Sequence, residues 1–408
     1  MDIIAFLSRL RLLAVSFTMR RSIAVLCVIP LLAACTQGVV DPSGVASPLP
    51  MDTPIPATET AVPATATPAA TEIPEATEIP AATETMPPAS ESPAAKEIPA
   101  GLVIDPENAT NLQQAAQLNE TGAQDFSWLE GGESIALSME AGVSVFKVDP
   151  VEETAQVPAE TPALITVSPD QQTVAWVSAE STIQVMNVTG GDAVQTLEGN
   201  TAIVTSLAFS PDGGTLAASN HENAVMLWDL SSGQLLDTWE LPYWFSNLSF
   251  SPDGTLLAGV DPENFAVHIW EVASGEEQRS LSWTEHASPV LYGAFFSPDW
   301  QTLAWVARGT VQLMDAASGE LGLTLSHEDF VNDIDWSPDG SLLATAAAGT
   351  VDDEFSPVVI VWEVETGQAL STLTQPEPVL SVAFAPDGSR LASLVFGGTV
   401  QLWAVPEQ

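Results

Sequence analysis

The chain has 408 residues, of which 53 are acidic and nine basic, giving a formal net charge of −44. A surface this anionic repels phosphate backbones and acidic lipid headgroups, which excludes nucleic-acid binding and membrane attachment through a basic patch. The only cysteines are Cys27 and Cys35, so the body of the chain can hold neither a disulfide nor a thiolate metal site.

Residues 1–34 read as a signal peptide. Arg20 and Arg21 precede the apolar run Ile23 to Leu32, which is too short for an ordinary membrane span. The basic and apolar regions are complete from Met19, an alternative start. The run ends in Leu32-Ala33-Ala34-Cys35, which resembles the lipobox of bacterial lipoproteins. That resemblance implies a diacylglyceryl group on the Cys35 thiol and an extracytoplasmic, lipid-anchored protein in a bacterial envelope. An ordinary cleavage site with an incidental cysteine is the alternative. Thr36 follows rather than Asp, so the residue that commonly retains lipoproteins on an inner membrane is absent. Removing the four arginines and one aspartate before residue 35 leaves 52 acids against 5 bases.

Residues 35–100 form a spacer. From 36 to 100 it holds 13 of the 31 prolines together with Thr, Ala and Glu, a composition that cannot bury a core and predicts a disordered or polyproline-like tether. The rest of the chain, 101–408, is expected to be one all-β domain. It opens with Ile104 to Asn108 and Leu112 to Leu118, then repeats one turn seven times. The clearest copy is Phe209-Ser210-Pro211-Asp212-Gly213. The prolines fall at 169, 211, 252, 298, 338 and 386, with Leu129 as a degenerate first member. Proline pre-sets φ for a type I turn, Asp can bond nearby amides, and Gly takes the following positive φ. About 17 residues further on comes a strand that is apolar on both faces, such as Val225 to Asp229, then a small-residue turn such as Ser231-Ser232-Gly233. A strand apolar on both sides must be covered on both sides, as a propeller blade is by its neighbours.

This pattern resembles the tryptophan-aspartate (WD) repeat family over about 300 residues. The aromatic slot holds Trp228, Trp270, Trp362 and Trp403, with Phe146, Met186 and Met314 in the other copies. The resemblance implies a seven-bladed β-propeller of four-stranded antiparallel blades. The last copy has a third strand but no fourth, so the segment ahead of the first repeat is expected to supply it, closing the ring and hiding an open edge. The family's His slot survives at His327 and, one residue out of register, at His286; elsewhere it reads Asn200, Leu241 or Gln375. The Asp paired with it is replaced by Glu222, Asn264, Arg308, Ser356 and Gly397, so its buried polar network is expected to be mostly missing and the propeller looser.

No catalytic site is legible. The histidines 221, 268, 286 and 327 lie on different repeats, and no nucleophile elbow, zinc helix or phosphate loop occurs. Asp352-Asp353-Glu354 lacks the spacing of a calcium loop. No cofactor or metal is expected. A monomeric, non-catalytic scaffold for a protein partner fits best, and the alternative is a small-molecule or glycan module on the propeller face or channel; a hydrolase or quinoprotein fits least. In the family, partners commonly meet the loops between blades and between second and third strands. Tyr243, Trp244, Phe265, Trp283, His286 and Phe355 fall there and are the candidate contacts, with Tyr243 and Trp244 first among them.

Overall fold

The computed structural model describes residues 102–406, apart from 121, 160–161, 179–180, 189–193, 283–290, 308 and 352–353. The signal region, Cys35, the spacer, Trp283, His286 and the Asp352-Asp353 pair therefore lie outside the described residues. Seven four-stranded antiparallel sheets succeed one another along the chain. Blades 1 to 6 are consecutive meanders spanning 125–158, 163–197, 204–240, 246–282, 291–326 and 331–374. Blade 7 takes three strands from the end of the chain, Val379–Phe384, Arg390–Val395 and Thr399–Ala404. Its outer strand is Gln113–Asn119, antiparallel to the third, with Leu118 opposite Val400. The ring is thus closed by the segment ahead of the first repeat.

The recurrent turn joins the first and second strands of a blade. Ser210 Oγ donates to Asp212 Oδ1 at 2.6 Å and accepts the Thr215 N–H at 2.9 Å, while Asp212 Oδ1 also accepts the Gly214 N–H. The serine before the proline is therefore as much a part of the turn as the Asp, a role the motif alone did not reveal. Ser251 with Asp253, Ser297 with Asp299 and Ser337 with Asp339 repeat the arrangement. The Ser251 hydroxyl and the Thr255 amide hold the Asp253 carboxyl down to about 2. Gly213 sits at φ 70°, and in blades 2 and 5 Gln171 and Trp300 occupy the same left-handed position at 60° and 59°.

The core between blades is built on an exchange of bulk. Where the third strand carries Trp270, Trp362 or Trp403, the second strand offers Gly259, Thr345 or Ser393 two residues after the Trp's own partner. A Cβ on Gly259 would stand 3.2 Å from the Trp270 ring. Where the third strand has only Met186 or Met314, the second strand places Trp176 or Trp305 at that small-residue position. Both indoles are completely buried, and Trp305 Nε1 reaches Met314 Sδ at 3.4 Å. Trp305→Thr alone is expected to cost roughly 3–5 kcal/mol in urea unfolding, as for other buried aromatic truncations. Adding Met314→Trp should return a large part of that loss. Equal stability of the single and double variants would break the exchange argument.

The small hydroxyls also restore polar order that was expected to be lost. In blade 6, Trp362 Nε1 donates to Thr345 Oγ1 at 3.0 Å and His327 Nε2 lies 2.9 Å from the same oxygen. In blade 7, Trp403 Nε1 donates to Ser393 Oγ, which donates on to Gln375 Oε1, both at 3.1 Å. Gln375 thus replaces the histidine. The network needs only an indole, a hydroxyl and one more polar side chain, so loss of the Asp does not abolish it.

Neighbouring blades are stapled through their first strands. Asp125 Oδ2 accepts the Ile165 N–H, Ser206 Oγ accepts the Leu248 N–H, and Asp333 Oδ2 accepts the Val382 N–H at 3.0 Å. By strand register these are one position in blades 1, 3 and 6, each bonding the next blade. Asp335 adds a second staple to blade 7 through the Phe384 N–H at 2.7 Å.

Candidate functional site

Antiparallel strands send the blade-to-blade connections and the turns between second and third strands to one end of the ring, and the Ser-Pro-Asp turns to the other. On the connection end, the loops of blades 3 and 4 bring Trp244 together with His221 and Glu263. Trp244, in the connection between these blades, donates its Nε1–H to Glu263 Oε1 at 3.0 Å. Its ring lies 5.2 Å from that of His221, tilted by 57°. His221 in turn donates its backbone N–H to Ile203 O, and Asn223 O accepts the Leu241 N–H at the foot of the same connection. Trp244 is half-buried, while Tyr243 beside it and Ile203 are exposed, at 36% and 47%. Trp244 is therefore not a core residue between blades. It is a surface ring held from two sides, by Glu263 and by His221.

Other candidates are placed differently. Phe265 has left-handed backbone geometry, φ 53°, and is half-buried against the blade 4 and 5 cluster that includes Val260, Val267 and Trp305. Its side chain thus contributes to packing as well as lying at the surface. Phe355 was expected on a loop but lies in a strand, paired with Thr350. The second and third strands of blade 6, Leu342–Val351 and Glu354–Glu363, are ten residues each, against six in blades 3, 4 and 5, so this strand pair runs longer than its counterparts.

His268 sits in a third strand, its Nδ1 3.1 Å from Glu277 Oε1 and its ring stacked on Trp270 at 5.9 Å. His327 is a member of the blade 6 network, and burial pushes its imidazole down to about 4. Among the described residues no group of three or more His, Cys, Asp or Glu is arranged to hold a metal ion.

Two open cavities, about 540 and 370 Å³, lie at the opposite end, beside the Ser-Pro-Asp turns. The larger is walled by Val167, Leu207, Phe209, Leu248, Phe250 and the turn prolines, with Thr166 and Ser249 its only hydroxyl side chains. A glycan, which needs many directed hydrogen bonds, is poorly matched by such a lining.

Comparison with known proteins agrees with this architecture. The WD domain, G-beta repeat family matches residues 191–229, 319–352 and 367–404. Each segment starts at or near an outer strand and runs into the following blade, covering blades 3, 6 and 7 in part or whole. The chain is 29% identical over 241 residues to periodic tryptophan protein 2 of Arabidopsis thaliana, 59% of this chain and 21% of that one. It is also 29% identical over 232 residues to a WD repeat-containing protein of Synechocystis sp., covering 56% of this chain and 49% of the relative. A shorter stretch of 80 residues is 38% identical to eukaryotic translation initiation factor 3 subunit I of Scheffersomyces stipitis, 19% of this chain and 21% of the relative. The chain spans about half the length of these relatives or less. Three segments of the chain thus match WD repeats, and the chain is built into a seven-bladed β-propeller.

Proposed function

We propose that this propeller is a non-catalytic scaffold, lipid-anchored through Cys35 on the extracytoplasmic side of a bacterial membrane, that binds a protein partner on its connection end. The observation that carries the reading is Trp244, held at the surface by Glu263 and His221 with exposed Tyr243 beside it. Pre-ordered aromatic side chains of this kind dominate protein-binding hot spots. WD-repeat propellers commonly bind proteins, and one relative is by name a subunit of a larger factor. The described chain enters the ring at the other end, where Ile104 N–H bonds Gly388 O at 2.8 Å.

A photo-crosslinking amino acid in place of Tyr243, used in living cells, is expected to capture one dominant protein. Trp244→Ala should abolish that capture while leaving the fold intact by circular dichroism. Labelling with an alkynyl fatty acid should mark the wild type and not Cys35→Ser. Capture unchanged by Trp244→Ala removes the patch, and labelling unchanged by Cys35→Ser removes the anchor.

A further inference from the structure

Charge is distributed unequally between the two ends of the ring. At the Ser-Pro-Asp end the turn aspartates are engaged: Asp212, Asp253, Asp299 and Asp339 accept turn hydroxyls and amides, and Asp229 and Asp315 do the same between third and outer strands, whereas Glu276, Glu320 and Glu365 are exposed with no carboxylate partner among the described residues. The described bases sit toward that end too. Arg390 donates to Gly132 O, Arg279 donates to Ala317 O, and Lys147 lies at the end of its strand near Pro150.

The connection end carries exposed acids as well. Glu198, Glu222, Glu328 and Glu377 are exposed there, and their carboxylates have no hydrogen-bond or ionic partner among the described residues. Glu263 is engaged only by the Trp244 indole. The described residues of these connections and turns include no Lys or Arg; Arg308, in the sequence between the second and third strands of blade 5, lies outside them. Glu263 bonds the Trp244 indole and Glu222 follows His221, whose ring packs on Trp244, so carboxylates adjoin the aromatic pair; such a site favours a cation, since arginine or lysine gains both from the ring face and from the carboxylates beside it.

We propose that the Tyr243–Trp244 patch recognises a cationic protein segment, with arginine or lysine side chains laid on the aromatic pair and flanked by Glu222 and Glu263. The proposal rests on the reading of this face as a partner site and adds the partner's chemistry.

The test uses a fluorescein-labelled, capped octapeptide of alternating Arg and Gly, with its Glu-Gly and Ser-Gly counterparts, titrated with the full chain. Salt is set near 0.15 M, where surface charges more than about 8 Å apart are largely screened. Only the arginine peptide is expected to raise its anisotropy. Trp244→Ala or Tyr243→Ala should weaken binding by about tenfold, the scale of a partly desolvated cation–π contact. Glu198→Gln with Glu222→Gln should weaken it about threefold. A control pair at the other end, Glu276→Gln with Glu365→Gln, should leave binding unchanged. Equal weakening by the control pair, or none by the aromatic variants, makes the binding a bulk-charge effect and overturns the proposal. Should the Tyr243 cross-link depend on Trp244 while the captured segment is uncharged or acidic, the partner site stands and its cationic preference falls.

Discussion

Deleting residues 102–119 is expected to unfold the propeller or convert it to edge-paired oligomers. The segment contributes the outer strand of blade 7 and also a plug: Ile104, Ala109 and Leu112 pack with Leu342, Val361, Leu373 and Trp403 between blades 6 and 7. Ile104 and Leu118 are each 1% exposed and Leu112 8%. Burying three such side chains stabilises by roughly 5–9 kcal/mol, comparable with the 5–15 kcal/mol that typically separates a folded domain from its unfolded state. The deletion also leaves Thr399–Ala404 as an unpaired edge carrying Val400 and Leu402, a template for pairing with a second copy. Ile104→Ala and Leu118→Ala should each cost about 2–5 kcal/mol in urea unfolding, and a synthetic peptide of residues 102–119 should restore part of the deletion's loss. A deletion variant that stays monomeric with an unchanged unfolding midpoint would show that the ring does not depend on this closure.

The ring and its closure were legible because they rest on local chemistry repeated in register. Pro, Asp and Gly mark each first turn, two-sided apolar strands demand neighbours, and a last copy short of one strand demands a donor. What escaped the sequence was relational. Trp176 and Trp305 are not in the family's aromatic slot, and their purpose shows only when Met186 and Met314 are seen to lie across the ladder from them. The signal was present as a reciprocal pattern, a Trp before a Met and a small residue before a Trp, but it spans two strands rather than one motif. Gln375 could not be recognised as a stand-in for histidine because the hydroxyl that joins it to Trp403 is 18 residues away on Ser393. Trp244 and His221 were visible as loop residues, whereas the contact between them depends on how two blades meet.

The same blindness applied to Asp333 and Asp335, which as residues in a strand look like unremarkable acids and in the fold carry the largest electrostatic effect. Both are partly buried at the junction of blades 6 and 7. Burial pushes Asp335 up to about 7, with the Asp333 carboxylate adding to it. Burial likewise pushes Asp333 up to about 6, and there the negative charge of Asp125 adds a smaller contribution. A carboxyl raised in the folded state holds its proton more tightly than in the unfolded chain, so it stabilises at low pH and loses that contribution as pH rises through 6 to 7. His327 acts on the other side. Its folded value of about 4 lies below the ordinary 6.5, so its contribution is full above pH 6.5 and is lost as pH falls through 4. Between pH 8 and 6.5 the two carboxyls therefore govern, and stability should rise on acidification, by roughly 1–2 kcal/mol from pH 8 to 6. Below 6.5 the histidine opposes them. Asp335→Asn keeps an oxygen for the Phe384 N–H and removes the buried charge, so it should stabilise the protein at pH 8 by on the order of 2 kcal/mol and flatten the slope above pH 6.5. The global negative charge also favours acid conditions, but its effect is spread over dozens of groups and would leave the slope of Asp335→Asn almost unchanged. Urea unfolding of wild type and Asp335→Asn at pH 6, 7 and 8 separates the two: parallel curves would assign the pH dependence to the surface, and convergence at pH 6 assigns it to this junction.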